Sequence, residues 1–231
     1  MSGTPRLPLD ELGRVVGEPA RLRILQELLG GPALPAGALA ARLDLAPSTV
    51  SAHLTRLHDA GLVDIEPDGR RRLVRIADPA VAAAIEALLQ LSDEARVSSL
   101  SGFHRRALMR EARSCYDHLA GRVGVAVTDI ARERGWFVER DGGWALPHDE
   151  DVDEISDALG LRLSWTRSPR PAVRPCSDWT ERVPHLAGRL GKSLLDGMLD
   201  DDWLRRRRDD RALVVTERGR ERLEALGVSG F

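Results

Sequence analysis

Apolar residues recur at helical spacing through the first part of the chain, then give way to strict alternation. "LDELGRVVG" predicts a short amphipathic helix. A second begins at "EPARLRILQELLGG", where Pro19 suits a first helical turn and Gly30 a stop. Leu22, Leu25, Leu28 and Leu29 are expected to share its buried face. "GPALPAG" reads as a turn, and "ALAARLDL" as a third helix with Leu39 and Leu43 one turn apart. Pro47 opens a fourth, in which Val50, Leu54 and Leu57 make a narrow apolar stripe. Val63 and Ile65, then Val74 and Ile76, alternate with polar residues around Asp68-Gly69, a favoured tight-turn pair. A β-hairpin follows from this, with Arg70, Arg71 and Arg72 at its tip.

The flank of the fourth helix changes the picture. Pro47, Ser48, Thr49, Ser51, Ala52, Thr55 and Arg56 lie largely off the apolar stripe, and most are small or hydrogen-bonding. A merely solvated flank would favour Glu and Lys, since Ser and Thr do not help a helix. Residues of this kind suit a surface that approaches something closely. Two short helices joined by "DLAP" make a helix-turn-helix, and the basic hairpin makes it a winged helix, whose partner is duplex DNA. The helix would enter the major groove, and the three arginines would meet phosphates or the adjacent minor groove. His53 and His58 are five apart, on different sides of a helix, so they do not read as a metal pair; His53 is taken as structural or phosphate-contacting.

Residues 8–92 resemble the ArsR/SmtB family of bacterial winged-helix repressors. The resemblance is carried by "EPARLRILQELL", "LAARLDLAPSTVSAHLTRLHDAGLV" and "DGRRRLVRIAD". It implies a homodimer on a near-palindromic operator, released by a metal or another inducer. It also implies that "DPAVAAAIEALLQL" is a dimer helix; there Asp78 can cap, Pro79 can start the helix, and the alanines allow close approach. The family's cysteine positions on or before the recognition helix carry none here. The cadmium/lead pattern falls on Arg56 and Ala60, and the zinc pattern's His/Asp site is missing from the dimer helix.

Composition bounds the rest. The chain has 231 residues and a formal charge of −2, so any signal for nucleic acid must be local. Its one lysine is Lys192. Two cysteines make no disulfide framework, the opening stretch has no apolar signal core, and no apolar run reaches membrane length; a cytoplasmic, reduced protein with no membrane partner is expected. The first aromatic residue is Phe103 and all five tryptophans follow residue 135, so the earlier core must be aliphatic. The expected division is 8–92 for the DNA-binding domain, 93–112 for a linker or helix, and 113–231 for an effector or dimerisation region.

That last region repeats itself. "HLAGRVG" at 118–124 returns as "HLAGRLG" at 185–191, and 16 of 44 positions match at a constant offset of 67; chance would give roughly three. An internal duplication is read from this, with copies at about 113–165 and 174–231. Each copy is expected to run helix, strand, turn, strand, helix, open to a winged-helix-like reading, with a ligand groove between the halves. The fold class is thus mainly α with small β-hairpins (α+β).

A short phrase precedes each copy, "RSCYD" and "RPCSD". Cys115 and His118 are three apart and fit one helix face, while Cys176, Asp178 and His185 are more widely spread. Thiolate, imidazole and carboxylate suit zinc or a softer metal, and the pairs could converge on one ion if the copies fold symmetrically. A thiol redox switch would use the same atoms, and small buried packing residues are the alternative to both. Trp at matching positions reads as core or as the lining of an effector pocket. "RRRR" at 205–208 reads as an exposed turn or a second phosphate contact.

The function expected is a sequence-specific, homodimeric transcriptional repressor released by a metal ion, a thiol-reactive compound or a small molecule. The alternative is a protein-interaction adaptor of stacked winged helices. An enzyme with Cys115 as nucleophile and His118 as base lacks an oxyanion hole, a phosphate loop or an acid–base pair, so no catalytic residue is assigned.

Overall fold

A computed structural model of the chain describes residues 7–92, 100–148, 151–166, 168–207 and 210–228. The chain divides into two compact units, Met1–Ile85 and Glu86–Phe231. Residues 93–99, the polar start of the expected linker, lie outside the described residues.

The first unit opens with α1 (Leu9–Val16) and α2 (Pro19–Leu28), followed by β1 (Leu34–Pro35), α3 (Ala36–Leu43), α4 (Pro47–Asp59), β2 (Val63–Asp68) and β3 (Arg71–Ile76). The buried stripe of α2 is Arg21, Ile24, Leu25 and Leu28, with Leu29 buried at its end; Leu22 is only half-buried. Arg21 takes the place expected of Leu22 because its guanidinium donates to the carbonyls of Arg14 (2.9 Å) and Val15 (2.5 Å), which end α1. The expected turn at "GPALPAG" contains a strand. β1 pairs antiparallel with β3 (Leu34↔Val74, Pro35↔Leu73), giving the order β1-β3-β2. Two residues are too few for alternation to reveal a strand, and an edge strand tolerates the missing N–H of Pro35.

Val50, Leu54 and Leu57 of α4 are fully buried with Ile24, Leu39, Val74 and Ile76. Each such side chain contributes about 1.5–3 kcal/mol relative to exposure. Asp44, left-handed at φ 53, turns the chain from α3 toward α4. Gly61 at φ 67 ends α4 the same way. The Leu62 N–H then donates to the Leu57 carbonyl at 2.9 Å, which swings Leu62 and Val63 into the core. The hairpin turn sits one residue later than expected: Asp68 pairs with Arg71, so Gly69 (φ 57) and Arg70 form the loop. α5 (Pro79–Leu91) is capped by Asp78, whose carboxylate accepts from the Ala80 N–H at 2.7 Å.

The second unit contains α6 (Leu100–Glu111), β4 (Arg113–Cys115), β5 (His118–Ala120), α7 (Arg122–Glu133), β6 (Val138–Arg140), β7 (Gly143–Ala145) and α8 (Asp151–Leu159). It continues with β8 (Arg174–Ser177), β9 (Pro184–Ala187), α9 (Gly188–Asp200), β10 (Leu204–Arg206), β11 (Leu213–Val215) and α10 (Glu217–Ala225). One order, hairpin–helix–hairpin–helix, thus occurs twice. The leading hairpin of each half was not foreseen, because "HLA" was read as the start of the helix. Gly121 (φ 82) and Gly188 (φ 88) stop that helix from extending back. A Cβ on Gly121 would lie 2.7 Å from the Arg110 carbonyl oxygen, and one on Gly188 would lie 2.9 Å from that of Ala172. The second glycine of each motif lets helix and strand touch: a Cβ on Gly124 would lie 2.7 Å from the Leu119 oxygen, and one on Gly191 would strike that of Leu186.

One core serves both halves. Trp136, Phe137, Val127, Leu190, Leu194, Met198, Trp203 and Leu213 belong to it. α9 packs on β5 and α7 on β9, so each helix lies against the hairpin of the other half as well as its own. Side chains of both halves fill the shared interior, and a cleft of about 390 Å³ between the halves is lined by Gly160, Arg162, Gly197, Asp200 and Asp201. Trp136 and Trp203 are core; Trp144 stacks on Phe137 at 4.4 Å between centroids, and Trp165 faces Arg189.

Candidate nucleic-acid interface and cysteine–histidine cluster

In the first unit, burial of the α4 stripe fixes what remains outside. Pro47, Ser48, Thr49, Ala52, Thr55 and Arg56 are exposed, and Ser51 and His53 are half-buried. His58 is exposed on another side of the helix, beside Asp59. No side chain caps α4: Ala46 holds the N-cap position. Thr55 Oγ1 donates to the Ser51 carbonyl at 3.1 Å.

The wing reaches this same flank. Arg72 Nη2 donates to Ser51 Oγ at 2.9 Å. Arg70, Arg71 and Arg72 are all exposed, and among the described residues no ion pair holds them. Arg75, further down the strand, is by contrast paired with Asp64 (3.1 Å) and Glu66 (2.7 Å). The three arginines line a cleft of about 380 Å³ together with Pro35, Ala36, Gly37 and Pro47. All eleven residues singled out from the sequence for DNA contact therefore lie on α4 or the wing tip, with Ser51 and Arg72 in direct contact.

In the second unit the cysteines and histidines converge, but on strands. Cys115 and His118 are directly opposed across β4–β5, and Cys176 and His185 across β8–β9. The shared helix face expected for Cys115 and His118 is therefore replaced by a cross-strand pair, which puts both side chains on one face of the hairpin. Tyr116 at φ 60 and Asp117 make the tight turn between them. The donor atoms of Cys115, His118, Cys176 and His185 all lie within 4.8 Å of one another, and all four residues are buried. Cys115 Sγ is 3.8 Å from Cys176 Sγ, and His118 Nε2 is 3.1 Å from His185 Nε2.

Asp178 is not one of the converging donors. Its Oδ1 accepts from Arg113 Nη2 (2.8 Å), the Thr180 hydroxyl (2.7 Å) and the Thr180 N–H (2.9 Å), and its Oδ2 from the Gly121 N–H (2.7 Å). Held by these donors, it stands behind the cluster, Oδ2 lying 3.4 Å from His185 Nδ1. Asp117 has the matching position: its Oδ1 is 3.3 Å from His118 Nδ1, and Arg170 holds its carboxylate. Both histidines thus turn Nδ1 toward a carboxylate and Nε2 inward.

These contacts set the charges. Burial opposes ionisation of Asp117, but hydrogen bonds from His118 and Arg170 bring its carboxyl down to about 2. Burial likewise opposes ionisation of Asp178, and the buried Arg113 guanidinium holds it low. The two sulfurs split. The Cys115 thiol is pushed up by its hydrogen bond to Cys176 and by burial, while Cys176 is drawn down by that same bond against its own burial. Of the two sulfurs facing the imidazoles, Cys176 is thus the more readily ionised.

Sequence reasoning missed Arg113, Asp117 and Arg170, which support the cluster from behind. The signal for Asp117 was present, since both short phrases carry Asp two residues after Cys. Arg205 and Arg207 of the arginine tract are neutralised by Asp202 and Asp210; Arg208 lies outside the described residues. Among the described residues no helix is long and apolar enough to cross a membrane.

A helix-turn-helix domain family matches residues 16–66. The chain is 36% identical over 213 residues to the HTH-type transcriptional regulator YdfF of Bacillus subtilis, covering 92% of this chain and 93% of that protein. It is 43% identical over 83 residues to the HTH-type transcriptional regulator CmtR of Mycobacterium tuberculosis, covering 36% of this chain and 70% of that one. The NMR structure of the cadmium metal-sensor CmtR from that organism is 38% identical, covers 39% of this chain and 99% of its own, and superposes with a TM-score of 0.32. The chain belongs to the HTH-type transcriptional regulators, with an ArsR/SmtB-like winged helix-turn-helix at its N-terminus.

Proposed function

We propose that the protein is a homodimeric, cytoplasmic repressor whose α4 reads operator bases in the major groove while Arg70, Arg71 and Arg72 engage the backbone or the adjacent minor groove. The observation carrying this reading is the Ser51–Arg72 hydrogen bond at 2.9 Å, which places the wing guanidiniums beside the exposed polar flank of α4. Thr49, Ala52 and Arg56 supply base-edge contacts, and Ser48, His53 and the uncapped start of α4 face phosphates. α5 serves the dimer; its Leu88 (45%) and Leu91 (86%) are exposed on a mostly apolar helix. An inducer, whether metal ion, thiol-reactive compound or small molecule, acts through the second unit and weakens operator binding.

The test is selection of bound duplexes from a random pool by the full chain. Enrichment of one near-palindromic sequence, with half-sites about one helical turn apart, is expected. A pool that stays random through repeated rounds at physiological salt contradicts the reading and favours the adaptor.

A further inference from the structure

The cysteine–histidine cluster belongs to the second unit, and the helix-turn-helix of the first unit uses none of its atoms. We propose that Cys115 Sγ, Cys176 Sγ, His118 Nε2 and His185 Nε2 bind one divalent ion of the zinc class in a closed tetrahedral site. This gives one form of the inducer reading a chemical identity, but it rests on the second unit's own geometry and survives if operator binding fails.

Distances carry the proposal first. A tetrahedral ion with bonds of about 2.3 Å to sulfur and about 2.0–2.1 Å to nitrogen needs an S···S edge of about 3.8 Å and an N···N edge of about 3.3 Å. The cluster has 3.8 Å and 3.1 Å. A disulfide needs about 2.05 Å, so the sulfurs stand at the spacing of two ligands rather than of a bond.

Ligand orientation is the second argument. A metal-bound histidine ordinarily donates its other ring N–H to a carboxylate, which fixes the tautomer. Here each Nδ1 turns toward an aspartate, at 3.3 Å for His118 and 3.4 Å for His185. Each aspartate is anchored by an arginine, Asp117 by Arg170 and Asp178 by Arg113. The His118 contact is a hydrogen bond, whereas His185 Nδ1 is buried without one, the Asp178 carboxylate standing beside it. The same order of histidine, aspartate and arginine recurs at two different hairpins.

Charge and enclosure choose the ion. Two thiolates and two neutral imidazoles carry −2, which a divalent ion cancels inside a dry site. Binding releases the thiol protons to solvent, one for each sulfur protonated beforehand. Soft sulfur with nitrogen selects zinc and its d10 relatives over magnesium or calcium. Four protein ligands with relative exposures of 0, 1, 7 and 0% leave no position for water, which marks a structural or sensing site rather than a hydrolytic one. The ion would pin β4–β5 to β8–β9, the two hairpins that start the two halves.

The experiment uses the full chain, purified under reducing conditions, stripped with chelator and titrated with zinc and with cobalt. One zinc per chain is expected, together with the intense visible bands of four-coordinate cobalt and a thiolate-to-cobalt charge-transfer band. Cys176→Ser and His118→Gln should each lose at least tenfold in zinc affinity. Arg71→Ala with Arg72→Ala should bind zinc as wild type does, which separates failure of this site from failure of the DNA-binding reading. Zinc should also slow the reaction of the two thiols with a disulfide reagent in the wild-type chain, a readout that needs no variant to fold. Substoichiometric zinc, a six-coordinate cobalt spectrum, thiols that react equally fast with and without zinc, or full affinity in Cys176→Ser would overturn the proposal.

Discussion

Arg72 on the wing and Ser51 on α4 are joined by a hydrogen bond of 2.9 Å, so the hairpin tip is fastened to the flank that the apolar stripe leaves outside. Ser51→Ala frees Arg72 without touching the core. Stability should change by no more than about 0.5 kcal/mol. Affinity for the selected operator should fall about fivefold, the worth of one hydrogen bond of about 1 kcal/mol. Fluorescence anisotropy and urea denaturation read the two effects separately.

Thr49 and Arg56 face outward on α4, and the proposed function assigns them to base reading rather than to the backbone clamp. Replacing either by Ala should cost about 1–3 kcal/mol at one base-pair position and relax the preference there. Repeating the selection with each variant checks this. A uniform loss across all sequences would move the residue to the phosphate-contacting group.

Leu88 and Leu91 leave apolar surface on α5 exposed. If α5 forms the proposed dimer contact, Leu88→Glu with Leu91→Glu should give monomer where the wild type gives dimer in sedimentation equilibrium and weaken operator binding at least tenfold, with helical content unchanged. A variant that stays dimeric removes α5 from the interface.

The winged helix was largely legible in the sequence because its elements are local. Val50, Leu54 and Leu57 mark one side of a single helix, and the alternation around Gly69 marks a single hairpin. What sequence alone missed there is two residues long (Leu34-Pro35), or depends on a contact between two helices, as with Arg21 and the carbonyls ending α1. The second unit was harder to read. Its cluster assembles from positions 61 and 67 residues apart, Cys115 with Cys176 and His118 with His185. The internal repeat hinted that they meet. It did not reveal that they sit on strands, because "HLAG" is short enough to read either way and only the positive φ of Gly121 and Gly188 decides it. Asp178 looked like a ligand by chemistry alone; its saturation by Arg113, Thr180 and Gly121 is a tertiary fact.

That saturation makes Asp178 a stability residue. Asp178→Asn leaves the fully buried Arg113 without its counter-charge, at a cost of about 3–5 kcal/mol. All five tryptophans lie in the second unit, so their fluorescence during urea unfolding reports this loss directly. An unchanged transition would mean that Arg113 is satisfied without the carboxylate.

Gly191→Ala places a methyl group against the Leu186 carbonyl and the His118 side chain. The helix must move off its strand, at about 1–3 kcal/mol, and the same tryptophan signal should shift to lower urea. Wild-type behaviour would show that α9 can retreat without loss.

The most direct test of the DNA-binding account is the salt dependence of operator affinity in Arg71→Ala with Arg72→Ala. Each lost phosphate contact lowers the slope of log K against log salt by about 1. The account predicts weaker binding to every duplex and a slope shallower by about 2, with the sequence preference retained. Wild-type affinity and slope in the double variant would contradict it.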